Sequence, residues 1–422
     1  MNARRSAWRA IASPSRPRMI AGASAAVMCL AGLGVLGAGG PAAHAAAASP
    51  AMLPVGSPAG PPPVKAPPPT RPVPLPTISI GPIQPPPVAP GSLPTPAIAV
   101  AAGNSIIATQ TPANGLRFFW NQYGTSRWTG EQVAGNGTTF SAPSIAQNGN
   151  SVVIAAQGPN NSLDFYWAAN GTSTWHQETV AGPGTTFSAP AMTPTGSGVV
   201  IAAQGLNNSL QFYWALNGSS LWTAEIVNLG GTTYSAPAIA STGSAVDIAV
   251  QGPGDTLIFY WAQNGTNAWH PEYLTPVSEA YSAPALIYND GNVNIAVQGP
   301  GNELDFFWQQ NGASGWNPER IFGPQANGAP SMSTCTVGGS DGVAVTVLSP
   351  LGALNLSDQP DGGSSWSTEN VTGFEEGSSA TVTCNNGSEN VAVFDLNGEL
   401  DFYWRDSAGN FQKEVVAAAG TI

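Results

Sequence analysis

Between about Pro94 and the C-terminus the chain restates one 47-residue unit seven times. A period of this length restricts it to a solenoid, a propeller or an array of small units. Two tryptophans and a glutamate mark the units. The first tryptophan closes an aromatic triplet, at Phe118-Phe119-Trp120, Phe165-Tyr166-Trp167, Phe212-Tyr213-Trp214, Phe259-Tyr260-Trp261, Phe306-Phe307-Trp308 and Phe402-Tyr403-Trp404. The second opens a Trp-x-x-Glu step, at Trp128/Glu131, Trp175/Glu178, Trp222/Glu225, Trp269/Glu272, Trp316/Glu319 and Trp366/Glu369; in the last unit Phe411 stands ahead of Glu414. A step of proline, small residue and apolar residue begins the units at Pro96, Pro143, Pro190, Pro237, Pro284 and Pro330.

Within a unit the side-chain period is two, not 3.6. In the second unit, strands are predicted at residues 142–146, 152–157, 163–168 and 175–180, separated by Asn148-Gly149, by Gly158 to Asn161 and by Asn170-Gly171. Leu163, Phe165 and Trp167 fall on one face of the third strand, Asp164 and Tyr166 on the other. Apolar residues on both faces mean a sheet packed between two others. Seven such units predict an all-β chain, a seven-bladed β-propeller of ~47-residue four-stranded repeats spanning residues 94–422. A linear array would leave two apolar end blades needing polar caps, and neither end carries one.

The first 93 residues belong to no repeat. Residues 1–45 combine arginines at 4, 5, 9, 16 and 18 with an apolar run from about Met19 to Gly39 and the small-x-small step Ala43-His44-Ala45, the pattern of a secretory signal peptide. Retention of the run as a membrane anchor is the alternative. Residues 46–93, with Pro61-Pro62-Pro63, Pro67-Pro68-Pro69 and Pro85-Pro86-Pro87, read as an extended linker that cannot bury a core. The chain is therefore expected to be secreted or associated with the cell envelope. Its net charge is −12, and the leader takes five of the 12 Lys+Arg and none of the 24 Asp+Glu, so the remainder is more acidic still. That argues against nucleic acid as a partner and against direct membrane binding by the mature domain. Cys335 and Cys384, an even pair once Cys29 leaves with the leader, fall at nearly matching places in units six and seven and are expected to form a disulfide.

The candidate ligand contacts are repeated aromatics and amides: Trp120, Trp167, Trp214, Trp261 and Trp308, Tyr166, Tyr213 and Tyr260, and Gln110, Gln157, Gln204, Gln251 and Gln298. Indole beside amide is the chemistry that holds a pyranose, whose C–H face packs on the ring while amides bond its hydroxyls. Core packing for the aromatics and a cross-blade hydrogen bond for the glutamines are the competing readings. The glutamines are absent where the repeat diverges, at Leu348 and Phe394. The sixth unit replaces the triplet with Leu356-Ser357-Asp358 yet keeps Trp366 and Glu369, which ties the Trp-x-x-Glu step to packing, with the glutamate satisfying turn or inter-blade donors.

The Trp-x-x-Glu step, the Gly184-Thr185-Thr186-Phe187-Ser188-Ala189-Pro190-Ala191 segment and the Asn161-Ser162-Leu163-Asp164-Phe165-Tyr166-Trp167 segment resemble bacterial propeller lectins of the PLL type and, more distantly, the fungal fucose lectins. The resemblance covers residues 94–422 and implies several sugar sites between adjacent blades on one face. The fungal lectins read fucose with a repeated arginine; here arginine recurs in no register, so fucose specificity does not carry over.

Catalytic signals are weak. His176 and His270 occupy the variable position after the second tryptophan and read as surface residues. Gly338-Gly339-Ser340-Asp341-Gly342 has the spacing of a nucleophile elbow without the helix that must follow it. The dinucleotide-like glycines at 32, 34 and 37 lie in the leader, and Asp361 to Trp366 resembles part of a sialidase Asp-box, a turn element. No cofactor or metal is implied. The expected function is multivalent carbohydrate binding without catalysis, with glycans or envelope polysaccharide as partners. The alternatives are a structural propeller that binds surface proteins and, ranked lower, a glycosidase.

Overall fold

The computed structural model describes residues 93–422 except 123, 324, 375, 407 and the side chain of 374; the expected signal peptide, and all but the last residue of the expected linker, lie outside the described residues. Twenty-eight strands, from β1 (Ala97–Ala101) to β28 (Phe411–Ala417), pair antiparallel in chain order as seven four-stranded sheets. The blades span residues 97–134, 144–181, 191–228, 238–273, 285–322, 327–374 and 381–417. In the second blade the strands run Ser144–Asn148, Ser151–Gln157, Leu163–Ala169 and His176–Ala181, within two residues of the expected bounds at every end. The turns fall at the Gly and Asn positions because those positions need positive φ: 56° at Gly149 and 57° at Asn160.

First strands of neighbouring blades touch and surround a central cavity of about 340 Å³, lined by small residues such as Ala97, Ser144, Ala191 and Ala238. This is where the Pro-small-apolar step sits: seven strands converging on one axis leave room for little more than a methyl group. Each blade's sheet then buries both faces. The triplet splits between two junctions, with Phe212 and Trp214 packing toward blade four and Tyr213 toward blade two. The core is accordingly seven clusters, one per junction, instead of one central mass.

The ring closes without exchanging a strand. Blades one and seven are each built from consecutive strands, and Leu93 and Ile422 both pack into the cluster between them. Asn385 Nδ2 donates to Gly103 O at 3.1 Å and Thr381 Oγ1 to Pro96 O at 2.9 Å across the same seam. Cys335 and Cys384 form the expected disulfide, joining the first strands of blades six and seven with Cα atoms 5.4 Å apart.

Candidate functional site

The antiparallel course of each blade gives the ring two unlike faces. One carries the turns between strands one and two and between strands three and four. The other carries the turns between strands two and three, together with the crossover loops that lead to the next blade. Trp-x-x-Glu lies toward the first of these faces, and its chemistry is a clasp. Glu178 accepts from Trp167 Nε1 of its own blade at 3.1 Å and from Trp222 Nε1 of the next blade at 3.0 Å. The same pair of bonds is made by Glu131 to Trp120 and Trp175, by Glu225 to Trp214 and Trp269, by Glu272 to Trp261 and Trp316, and by Glu319 to Trp308 and Trp366. One carboxylate thus satisfies two half-buried indoles from two blades, the inter-blade role expected for these glutamates. Beside each clasp the first aromatic of the triplet meets the next blade's tryptophan edge-on, as in Phe212–Trp269 with centroids 5.0 Å apart.

Two junctions depart from this scheme. Between blades six and seven, Arg405 takes the place of the indoles: it pairs with Glu369 and with Glu389 (2.9 Å), and its guanidinium lies 4.4 Å from the Phe411 ring centroid. Between blades seven and one, Glu414 accepts from Trp128 Nε1 at 3.0 Å, but the buried Trp404 Nε1 meets no hydrogen-bond partner among the described residues.

Above the clasp between blades three and four opens a cleft of about 650 Å³. Phe212, Trp214 and Trp269 form its apolar wall, Glu225 its clasped floor, and Thr195 and Asn264 stand at its rim. A second cleft, of about 690 Å³, occupies the equivalent place between blades seven and one, with Phe402 and Trp404 on the wall and Asn121, Asn386 and Asp406 around it. Both have the size and the mixed apolar and polar lining of small-molecule sites.

The sequence-derived candidates fall into three environments. The triplet tryptophans are half-buried, and Trp214 lines the cleft between blades three and four. Tyr166, Tyr213 and Tyr260 are 1%, 3% and 1% exposed and belong to the junction clusters, so their rings are inside the fold. The glutamines sit on the crossover face. Gln157 Nε2 donates to Asn161 Oδ1 at 3.0 Å and to Thr186 O, in the crossover loop, at 2.7 Å. Gln110, Gln204 and Gln251 repeat both bonds, and Gln298 receives Gly328 N instead of donating to the loop. Their amides are therefore spent on holding crossovers, away from the two clefts. His176 and His270 are exposed, as expected, and stack on Trp167 and Trp261 with centroids 4.1 and 4.3 Å apart.

Asp247 was not singled out by the repeat. It is 2% exposed on the side of its strand that faces blade five, where blades one to three carry Ile106, Val153 and Val200. Burial, and secondarily the Glu272 carboxylate, push its carboxyl up to about 7. A charged residue among the apolar residues that fill the Ala245–Gln251 strand as far as Val250 was the available signal.

The architecture is that of a seven-bladed β-propeller, and solved propellers superpose on it. The bacterial BP39L lectin of Burkholderia pseudomallei superposes with a TM-score of 0.68 at 18% identity, over 78% of this chain and 99% of that one. An arginine-substituted form of AofleA from Arthrobotrys oligospora gives 0.51 at 12% identity, over 78% and 87%. A puromycin-hydrolyzing peptidase of Mycobacterium tuberculosis also gives 0.51, at 11% identity, with this chain covering 53% of it. No protein-family model matches, and neither does any curated protein. The resemblance read from the repeat thus holds at the level of fold, and identities this low establish nothing further.

Proposed function

We propose that this chain is an extracytoplasmic glycan-binding propeller and that it holds neutral sugars in the clefts at its blade junctions. The observation that carries the proposal is the cleft between blades three and four: two indoles and a phenyl ring on one wall, hydroxyl and amide groups at the rim, and a volume that accommodates a pyranose. The lectin fold of BP39L supports it. The acidity of the chain favours neutral over anionic sugars, since like charges repel across a site of this size. Export is supported by the leader read in the sequence and by the disulfide. Binding is favoured over turnover because the clasp glutamates are committed to indole N–H groups.

The test is a glycan array probed with the full chain, alongside Trp214→Ala. Glycan binding that free methyl glycosides compete away, and that Trp214→Ala weakens about tenfold, supports the proposal; loss of one stacking contact is worth about 1–2 kcal/mol. A blank array from folded protein overturns it. One observation favours a protein partner as the second reading. Exposed Leu206, Leu229, Tyr234, Val277 and Tyr281 all lie in turns and crossovers on the other face of blades three and four.

A further inference from the structure

Seven repeats suggest seven sites, but the junctions are not equivalent, and the differences lie in the turns that frame their mouths. Between blades two and three the first turn of one blade is tied to the third turn of the next, Asn148 Nδ2 donating to Asn217 Oδ1 at 2.7 Å. Between blades five and six the matching bond runs from Asn289 Nδ2 to Asp361 Oδ1 at 2.8 Å. Blade three has Thr195 in the position of Asn148, and Thr195 bonds its own turn instead: Oγ1 donates to Gly198 O at 3.2 Å and accepts from Gly198 N at 3.0 Å. The would-be partner on blade four, Asn264, turns back to Gly243 O at 2.9 Å. The mouth between blades three and four is left unbridged, and this is where the cleft of about 650 Å³ opens. In blade seven the position is Asn385, which reaches the first turn of blade one, not its third, and the cleft of about 690 Å³ lies beside it.

The remaining junctions each carry a closing contact of another kind. Between blades one and two the long side chain of Gln147, at the position of Ser241 in blade four, spans the seam, its Oε1 accepting from Ala102 N at 3.0 Å. Thr242 of blade four bonds its own turn as Thr195 does, but at that junction Tyr288, where blade four has Ser241, packs into the cluster between blades four and five. The disulfide and the Arg405–Glu369 pair tie blades six and seven. Histidine adds a second cover. His176 and His270 lie over Trp167 and Trp261, whereas Trp214 has Thr223 as its strand partner and Trp404 has Gln412.

We propose that the ring offers two ligand sites instead of seven, one between blades three and four and one between blades seven and one, and that the residues at positions 148, 195 and 289 and those opposite the triplet tryptophans decide which junctions are open. The inference rests on the glycan reading and adds its valence. The two mouths share a face and stand three blades apart one way round and four the other, the widest separation a seven-membered ring permits. Such a pair suits two sugars displayed on one surface, where avidity comes from simultaneous engagement.

The experiment is native mass spectrometry of the full chain with methyl glycosides of fucose, galactose, glucose, mannose and N-acetylglucosamine, titrated singly. Three proteins are compared: the parent, Thr195→Asn/Thr223→His, which gives blade three the residues of blade two, and Asn148→Thr/His176→Thr, which does the reverse. With any glycoside that binds, saturation is expected at two equivalents for the parent, one for the first variant and three for the second. More than two equivalents on the parent, or two on all three proteins, overturns the inference while leaving glycan binding intact. If none of the glycosides binds any of the proteins, the glycan reading falls and this inference with it.

Discussion

At the scale of single residues, the clasp glutamate explains why a carboxylate recurs in an otherwise apolar packing arrangement. Two indole N–H groups reach it from two blades, one on each carboxylate oxygen, and an amide has only one oxygen to offer. In Glu178→Gln the amide oxygen meets one indole and the amide NH₂ opposes the other. The expected cost is about 2–4 kcal/mol, two charge-assisted bonds weakened with one donor left unsatisfied, read as a lower urea midpoint at unchanged m-value. Asp247 makes a different demand. Native Asp247 takes up its proton near pH 7, the unfolded chain only near 3.8. Between those values the native state binds more protons than the unfolded state, so this group's contribution to stability falls as pH rises and stays low above 7. Blades five and seven carry Asn294 and Asn390 there, which cannot ionise. Asp247→Asn is therefore expected to be more stable than the parent at pH 8 by on the order of 2 kcal/mol, with the gap closing toward pH 4 in paired denaturation curves. The glutamates were legible in the sequence because their spacing from tryptophan never varies. Asp247 was harder to see because it breaks the repeat in a single blade, where only its neighbours in space give it meaning.

At the scale of elements, the strands and turns of the second unit were readable to within two residues because period-two alternation and Gly/Asn turn chemistry agree there. The crossover loops show where such reading stops. Gln110, Gln157, Gln204, Gln251 and Gln298 recur like ligand residues, and a repeated polar amide looks the same in sequence whether it serves a ligand or a loop. Its partner sets its role, and that partner, the carbonyl of a threonine or alanine 29 residues later in four of the five blades, belongs to a segment whose path no local pattern reveals. Gln204→Ala is expected to cost about 1–2 kcal/mol and to speed amide exchange in residues 229–236. It should leave the affinity of the cleft between blades three and four unchanged, since the glutamine lies on the opposite face; a fall in sugar affinity would place these amides at the ligand after all.

At the scale of the whole molecule, the period foretold the blade count and the closed ring, because seven sheets with two apolar faces each have no other way to cover them all. Inequality among the junctions was beyond such reading. It depends on which turn an asparagine reaches across to, as Asn148 and Asn289 do and Asn385 does not, and on whether a threonine such as Thr195 bonds its own turn. A repeat that looks uniform along the chain thus yields a ring with two open clefts on one face and bridged, filled or disulfide-tied junctions between them. The most direct test is a crystal of the full chain soaked with the methyl glycoside that competes best on the array. The expected result is a sugar ring against Trp214 between blades three and four, with a second against Trp404 between blades seven and one. Sugar bound on the crossover face beside the glutamines, or at the bridged junctions and not at these two, would contradict the account.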